Sequence, residues 1–244
     1  MFSLTLKNVT KRYGRFRAVD DVSLGIHEGE AVGLVGESGC GKSTVASILA
    51  GLIRADSGEF CFNGEAVANP GPDHSLYRRN VQMVFQDSAS ALNSRLSARE
   101  CVMEPLENFW GLKGENAKHR ANELLRQVGL DGSDGDKYPR QFSGGQKQRI
   151  CIARAIAADP RFLILDEFTS NLDVSVQAQM LNLLNDLKKL RNVGFLLISH
   201  DFGIVRYMCD RVYVMSQGSI VEVLSEEGLR KIVHLQAFNN FSLA

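Results

Sequence analysis

No stretch of this 244-residue chain approaches the roughly 20 consecutive apolar residues that a membrane-spanning helix requires, so the sequence contains no segment expected to cross a bilayer. Charge of one sign is not in excess either. Lys and Arg together number 28, as do Asp and Glu, for a formal net charge of zero. The basic field that draws a protein to nucleic acid is therefore missing, and no nucleic-acid partner is expected. The five cysteines, at 40, 61, 101, 151 and 209, are odd in number and scattered, with no Cys-x-x-Cys pair. That spacing argues against a disulfide framework or a zinc or iron-sulfur site and favours reduced cytosolic thiols. Met1 to Lys7 has no basic region followed by an apolar core, so it reads as a first strand with Leu4 and Leu6 on one face, not as a signal peptide. Repeats, low-complexity tracts and flexible linkers are also lacking.

What is present suits one large α/β unit. Val22, Leu24 and Ile26 alternate with polar or small neighbours, the pattern of a half-buried antiparallel strand. Ala31 to Val35 is apolar without alternation, as in a parallel strand covered on both faces, and predicts a helix after it from about Lys42 to Leu52. Glu59 to Phe62 followed by Asn63-Gly64 predicts a strand and turn. The loop from Asn69 to Asp73 precedes another strand, Val81 to Phe85.

From about 87 to 159 the apolar period becomes helical. Ala121, Leu124, Leu125 and Val128 share a face, as do Ile150, Ala153, Ile156 and Ala157 in a helix that Pro160 stops. This predicts a helical lobe inserted in the α/β core. Buried-type strands follow at Phe162 to Leu165 and Phe195 to Ile198, separated by an amphipathic helix with Met180, Leu184, Leu187 and Leu190 on its apolar stripe. Val212 to Met215 and Ser219 to Val221 flank Gln217-Gly218 as a hairpin.

Two glycine-rich helix starts carry the chemistry. The first, Gly36-Glu37-Ser38-Gly39-Cys40-Gly41-Lys42-Ser43, matches G-x-x-x-x-G-K-[ST] between a buried strand and a helix. Its glycines let backbone N–H groups converge on phosphates, Lys42 supplies a mobile charge, and Ser43 offers a hydroxyl to Mg²⁺. The strand Phe162 to Leu165 ends in Asp166-Glu167. Alone, that is an ordinary strand end before a capped helix. Beside a phosphate loop, Asp166 suits a Mg²⁺-associated carboxylate and Glu167 suits polarisation of an attacking water. Parallel strands should bring Gly36, Asp166 and His200 to one carboxyl edge of the sheet, where open α/β sheets bind ligands. Gln86, ending its own strand, can reach the same place. The second helix start, Phe142-Ser143-Gly144-Gly145-Gln146, is again suited to an anion.

Together these ordered motifs give the chain a specific resemblance: it is similar to the ATP-binding subunits of ABC (ATP-binding cassette) transporters over nearly its whole length. The resemblance implies a P-loop NTPase, RecA-like α/β core with an antiparallel β subdomain and a helical subdomain at about 87–159, the whole forming one domain over 1–244. It implies an ATP site from Tyr13, stacking on adenine, and from Gly36, Ser38, Gly39, Cys40, Gly41, Lys42, Ser43 and Thr44. Mg²⁺ is assigned to Ser43, Gln86 and Asp166. The catalytic group is Glu167, His200, Gln86 and Lys42, with a D-loop from Ser170 to Asp173. Ser143, Gly144, Gly145 and Gln146 become a signature that closes on ATP held by a second cassette.

A narrower resemblance follows Gln86. Phe85 to Arg95, then Glu104-Pro105-Leu106, is similar to the peptide/nickel importer subfamily, and the Gln-Asp-Ser run and Ser-Asn-Leu-Asp lean towards nickel-type subunits. The implied partners are transmembrane permease subunits, a second ATPase in a hetero- or homodimer and, indirectly, an extracytoplasmic substrate-binding protein. The implied place is the cytoplasmic side of the membrane, peripherally bound. Phe142 stands where Leu is usual before the signature, Asn171 where Ala is usual in the D-loop, and the chain ends soon after His234 to Phe238, without the long extension of many peptide-importer ATPases. The rival reading is a soluble ABC ATPase of DNA repair or translation, but no coiled-coil insertion, zinc module or duplicated cassette accompanies it. A P-loop kinase or GTPase would leave Ser143 to Gln146 unexplained.

Overall fold

The chain begins with a long antiparallel pair, β1 (Ser3–Tyr13) and β2 (Phe16–His27), in which Leu4 faces Ile26 and Leu6 faces Leu24. All four side chains are buried, as the alternation requires. In the computed structural model, residues 2–67, 75–170, 172–225 and 227–229 are described. The strand β4 (Ser57–Phe62) pairs with β1 on its other side, and the short β5 (Glu65–Ala66) completes a four-stranded sheet.

A second sheet holds β3 (Ala31–Gly36), β6 (Val81–Val84), β7 (Phe162–Asp166), β8 (Gly194–Ile198), β9 (Arg211–Ser216) and β10 (Ser219–Ser225) in the order β10-β9-β3-β8-β7-β6. The five from β9 to β6 run parallel, and only β10 returns antiparallel through the Gln217-Gly218 turn. Every residue of β7 and β8 is buried, as expected of strands covered on both faces. Alternation along β7 divides the core. Phe162 and Ile164 pack towards the first sheet and α1 (Lys42–Leu49), while Leu163 and Leu165 pack towards the helices on the opposite face.

Between β6 and β7 lie α3 (Ser88–Ala91), α4 (Ala98–Trp110), α5 (Gly114–Gln127) and α6 (Gly144–Ala157), preceded by α2 (Ser75–Asn80) ahead of β6. The faces at Ala121, Leu124, Leu125 and Val128 and at Ile150, Ala153, Ile156 and Ala157 are buried together in one core. Then α7 (Val174–Arg191) joins β7 to β8, and α8 (Phe202–Met208) joins β8 to β9. Among the described residues no helix is long and apolar enough to cross a membrane.

Several local expectations need correction. The helix after the phosphate loop ends at Leu49, not Leu52, because Ala50 caps it and Gly51 turns left-handed at φ 69°. The strand before Gln86 ends at Val84, leaving Phe85 exposed. Leu190 is 82% exposed: the stripe of α7 is buried at Met180, Leu184 and Leu187 but outruns the layer it packs on. The short α2 was not anticipated. The Asn69–Asp73 loop, Asn171 and the His234–Phe238 segment lie outside the described residues.

Candidate functional site

The parallel register puts the tips of β3, β6, β7 and β8 along one edge. Leu34 pairs with Ile198, Asp166 with Ile198, and Val84 with Leu165. The edge therefore gathers the loop after β3, Gln86 after β6, Asp166-Glu167 at the end of β7 and His200 after β8. They line or adjoin a cleft of about 400 Å³ that runs from Tyr13 and Phe16 past Gly39, Lys42 and Ser43 to Gln86 and Glu167.

Glycine is required in the loop for two different reasons. At Gly36 and Gly41 a Cβ would strike backbone carbonyls, those of Met215 and Ala18 respectively, so the loop is wedged between β9 and β2. At Gly39 there is open space, and the positive φ of 80° alone favours glycine. Gly41 also provides the N-terminal cap of α1 without any side-chain bond, which leaves the first amides of that helix free for an anion.

Lys42 is buried, and its ammonium donates to the carbonyls of Gly36 at 2.9 Å and Glu37 at 2.7 Å. Among the described residues it makes no ion pair, so its charge is uncompensated by a carboxylate at close range. A phosphate is the ligand chemistry that suits a cation, free amides and glycine backbone converging on one cleft.

Ser43 lies one turn into the same face, with its hydroxyl donating to Asp166 at 3.3 Å. Burial pushes the Asp166 carboxyl above the ordinary range. The Ser43 hydrogen bond pulls it back, the neighbouring Glu167 charge raises it further, and Lys42 lowers it. This pair of hard oxygen donors, with the side-chain carbonyl of Gln86 within the same cleft, fits Mg²⁺, which takes few protein ligands and completes its shell from phosphates and water. Among the described residues no cluster of three or more His, Cys, Asp or Glu could hold a metal by itself. The metal would thus be held by Ser43, Asp166 and Gln86 together with a phosphate ligand.

Glu167 is the geometrically unusual residue of the edge. Its φ of 42° is left-handed, a strained conformation for a side-chain-bearing residue, and its amide donates to Ile198 at 3.0 Å. This turn swings its carboxylate out of the strand line. Gln86 Nε2 donates to one carboxylate oxygen at 3.0 Å, and His200 Nδ1 lies 3.8 Å from the other. Gln86 Nε2 also reaches Ser170 Oγ at 3.4 Å. Two candidates from distant parts of the sequence, Gln86 and His200, are thus centred on a third.

The second helix start lies elsewhere. Ser143 caps α6 in a reciprocal box: its hydroxyl accepts from the Gln146 amide at 3.3 Å, and Gln146 Oε1 accepts from the Ser143 amide at 3.0 Å. None of Ser143, Gly144, Gly145 or Gln146 lines the cleft that holds Lys42. Gly144 stands in open space, whereas a Cβ on Gly145 would come within 2.6 Å of Val176 Cγ1 on α7. Phe142, the apolar residue before the cap, is buried.

Asp173 caps α7, accepting from the Val176 amide at 2.9 Å and from Ser175 Oγ at 2.8 Å. These bonds, the backbone one foremost, hold its carboxyl below the usual range. Asp173 is exposed and does not line the cleft.

Phe16 and Ala18 were missed by sequence reasoning, and Ser170, read from the sequence as part of the D-loop, was not foreseen as a partner of Gln86. The signal for Phe16 was available in the hairpin register, where it stands opposite Tyr13. The approach of Ser170 to Gln86 follows from the turn closed by its amide donating to the Glu167 carbonyl at 3.1 Å.

A phosphate-loop α/β fold with a composite strand-edge site defines the class. The ABC transporter family model matches residues 19–170, and the chain belongs to that family. It is 48% identical over 206 residues to the oligopeptide transport ATP-binding protein OppF of Lactococcus lactis, covering 84% of this chain and 65% of that protein. It thus spans just under two thirds of that relative's length. It is 46% identical over 205 residues to the nickel import ATP-binding protein NikE of Escherichia coli, covering 84% of this chain and 76% of that protein. Among solved structures, it matches a dimeric post-hydrolysis state of an ATP-binding cassette bound to ADP and Pi with a TM-score of 0.81 and 30% identity, covering 91% of this chain and 98% of that one.

Proposed function

We propose that this chain is the Mg-dependent ATP-hydrolysing subunit of an importer, energising uptake of peptides or of nickel and other metal chelates through a separate membrane permease. The observation that carries the reading is the convergence of Lys42, Ser43, Asp166, Gln86, Glu167 and His200 on one strand edge, in a cleft that the α6 start does not line. On this reading Tyr13 and the loop from Gly36 to Thr44, including Ser38, Gly39, Cys40 and Gly41, bind ATP. Bound Mg²⁺ would neutralise charge on the phosphates. Lys42 and the free α1 amides hold the phosphates, Glu167 accepts the proton of the attacking water, and His200 and Gln86 fix the carboxylate and water in line.

The relatives' names support an importer role over a soluble repair or translation ATPase, since both are transport subunits. They leave peptide and nickel cargo as equal alternatives. The dimeric cassette among the structural neighbours supports a paired arrangement, in which Ser143 to Gln146 meet ATP held by a second ATPase. A groove of about 340 Å³ between the helical lobe and the core supports a permease-docking role. Leu52, Phe85, Phe109 and Arg154 line it, and Phe85 directly precedes Gln86 in sequence. The chain would then sit peripherally on the cytoplasmic face of the membrane, and the extracytoplasmic binding protein would act on it only through the permease.

The test is to purify the intact complex from membranes, identify its members by mass spectrometry, and measure ATP hydrolysis with candidate cargo and binding protein added. Cargo-stimulated hydrolysis abolished by Lys42→Ala is expected. Recovery free of membranes, bound to DNA or ribosomes, would overturn the reading.

A further inference from the structure

The hairpin end of the cleft carries more than Tyr13. Tyr13 and Phe16 stand directly opposite across the two-residue turn Gly14-Arg15, and directly opposed residues of an antiparallel pair project from the same face. Both line the cleft that contains Lys42. They are 53% and 60% exposed, large apolar surfaces side by side on a hairpin tip that is otherwise basic, with Arg12, Arg15 and Arg17 around them. An aromatic pair left in water next to a phosphate-binding loop is suited to a planar ring at the far end of the same ligand. The remaining cleft wall contributed by the hairpin is Ala18, which carries no hydrogen-bonding side chain.

We propose that Phe16 is a second base-stacking residue, forming with Tyr13 a two-aromatic platform for the purine of a nucleoside triphosphate. The inference rests on the nucleotide reading of the cleft and adds how the base is selected. The base is held by ring area, with no amide or carboxylate side chain on the hairpin part of the wall to read its edge. Purines are then preferred to pyrimidines, and adenine and guanine are accepted alike.

The experiment is calorimetric titration of the full chain and its Phe16→Ala and Phe16→Trp variants with Mg-ATP, Mg-GTP, Mg-CTP and inorganic triphosphate. Phe16→Ala is expected to weaken ATP and GTP about five- to tenfold each, the scale of a lost base–aromatic stack, with CTP affected less. Triphosphate affinity should be unchanged, and Phe16→Trp should bind purines as well as the parent. In the assembled complex Phe16→Ala should raise KM and leave kcat intact. Unchanged ATP affinity overturns the proposal, as does an equal loss for ATP and triphosphate. Lost assembly with ATP affinity intact also overturns it, because Phe16 would then be a protein contact. Lys42→Ala separates the two levels: if it leaves ATP and triphosphate binding intact, the nucleotide reading itself fails, whatever Phe16 does.

Discussion

Adding a single methyl group at Gly144 separates the fold of the signature from its proposed use. A Cβ at Gly144 meets nothing within 4 Å, and its backbone lies outside the left-handed range, so alanine fits without strain. The capping box is formed by Ser143 and Gln146 and is left intact. Replacing a helical glycine by alanine without strain reduces unfolded-state entropy and stabilises by up to about 1 kcal/mol. In a chain of this size that is a rise in Tm of no more than about 2–4 °C. The same methyl stands over amides that, on the proposed reading, a partner's γ-phosphate approaches. Weakening one amide–phosphate bond costs about 1.5–3 kcal/mol, or roughly a 10- to 100-fold fall in turnover of the assembled complex. Melting curves and ATPase rates on the same preparation test both halves. Turnover at the parent's level would refute the role of the helix start, and a Tm several degrees lower would refute the open space. The comparison is Gly145→Ala, whose Cβ meets Val176 at 2.6 Å and which should lose stability along with activity.

Glu167→Gln should bind ATP normally, lower hydrolysis about 10²- to 10⁴-fold and accumulate an ATP-bound pair with a competent second cassette, which size-exclusion chromatography would detect. Cys40 packs beside Lys42 Nζ at 3.8 Å within the phosphate loop, so a bulky thiol reagent that reaches it should block ATP binding, and ATP should protect it; labelling that leaves affinity unchanged would contradict the loop's role. Asp166→Asn tests the buried charge. The folded-state pKa is raised by burial, so the folded protein binds this proton more tightly than the unfolded chain, and the nucleotide-free protein gains stability as pH falls towards the carboxyl's range. At neutral pH the ionised form is therefore a cost, and Asp166→Asn should melt higher than the parent there, with the difference shrinking in acid, while hydrolysis is lost. A lower Tm at neutral pH would count against this account.

The parts of the fold legible in sequence are those where one local pattern has one structural solution. Unbroken apolar runs at Ala31–Val35 and Phe162–Leu165 could only be doubly covered strands, and they occupy the sheet interior. Once those strands are parallel, the meeting of Gly36, Asp166 and His200 follows from geometry. Where the outcome depends on a neighbour, the pattern was silent. Leu190 has the right spacing, but periodicity reports a face and not the length of the layer it meets. The early end of α1 depends on Gly51 turning left-handed, which a helical apolar pattern running to Leu52 conceals. The positive φ of Glu167 has no sequence signal at all, because neither glycine nor asparagine stands there to announce it.

The two helix starts are also joined inside one chain by a continuous set of contacts. Gly145 abuts Val176, whose amide is held by Asp173. The turn before that cap is closed by Leu172 donating to Thr169 and Ser170 donating to Glu167. Ser170 and Glu167 both face Gln86, which follows the strand bordering the helical lobe. An element tied at one end to the α6 start and at the other to the proposed catalytic carboxylate cannot reposition at one without loading the other, because packed contacts of this kind do not deform continuously. In the proposed pair each chain offers its α6 start to the other's phosphates. Occupancy at one composite site is then felt at the Glu167 of the other, and the coupling is reciprocal as binding linkage requires. A rate measured for this chain alone would therefore describe half of two sites.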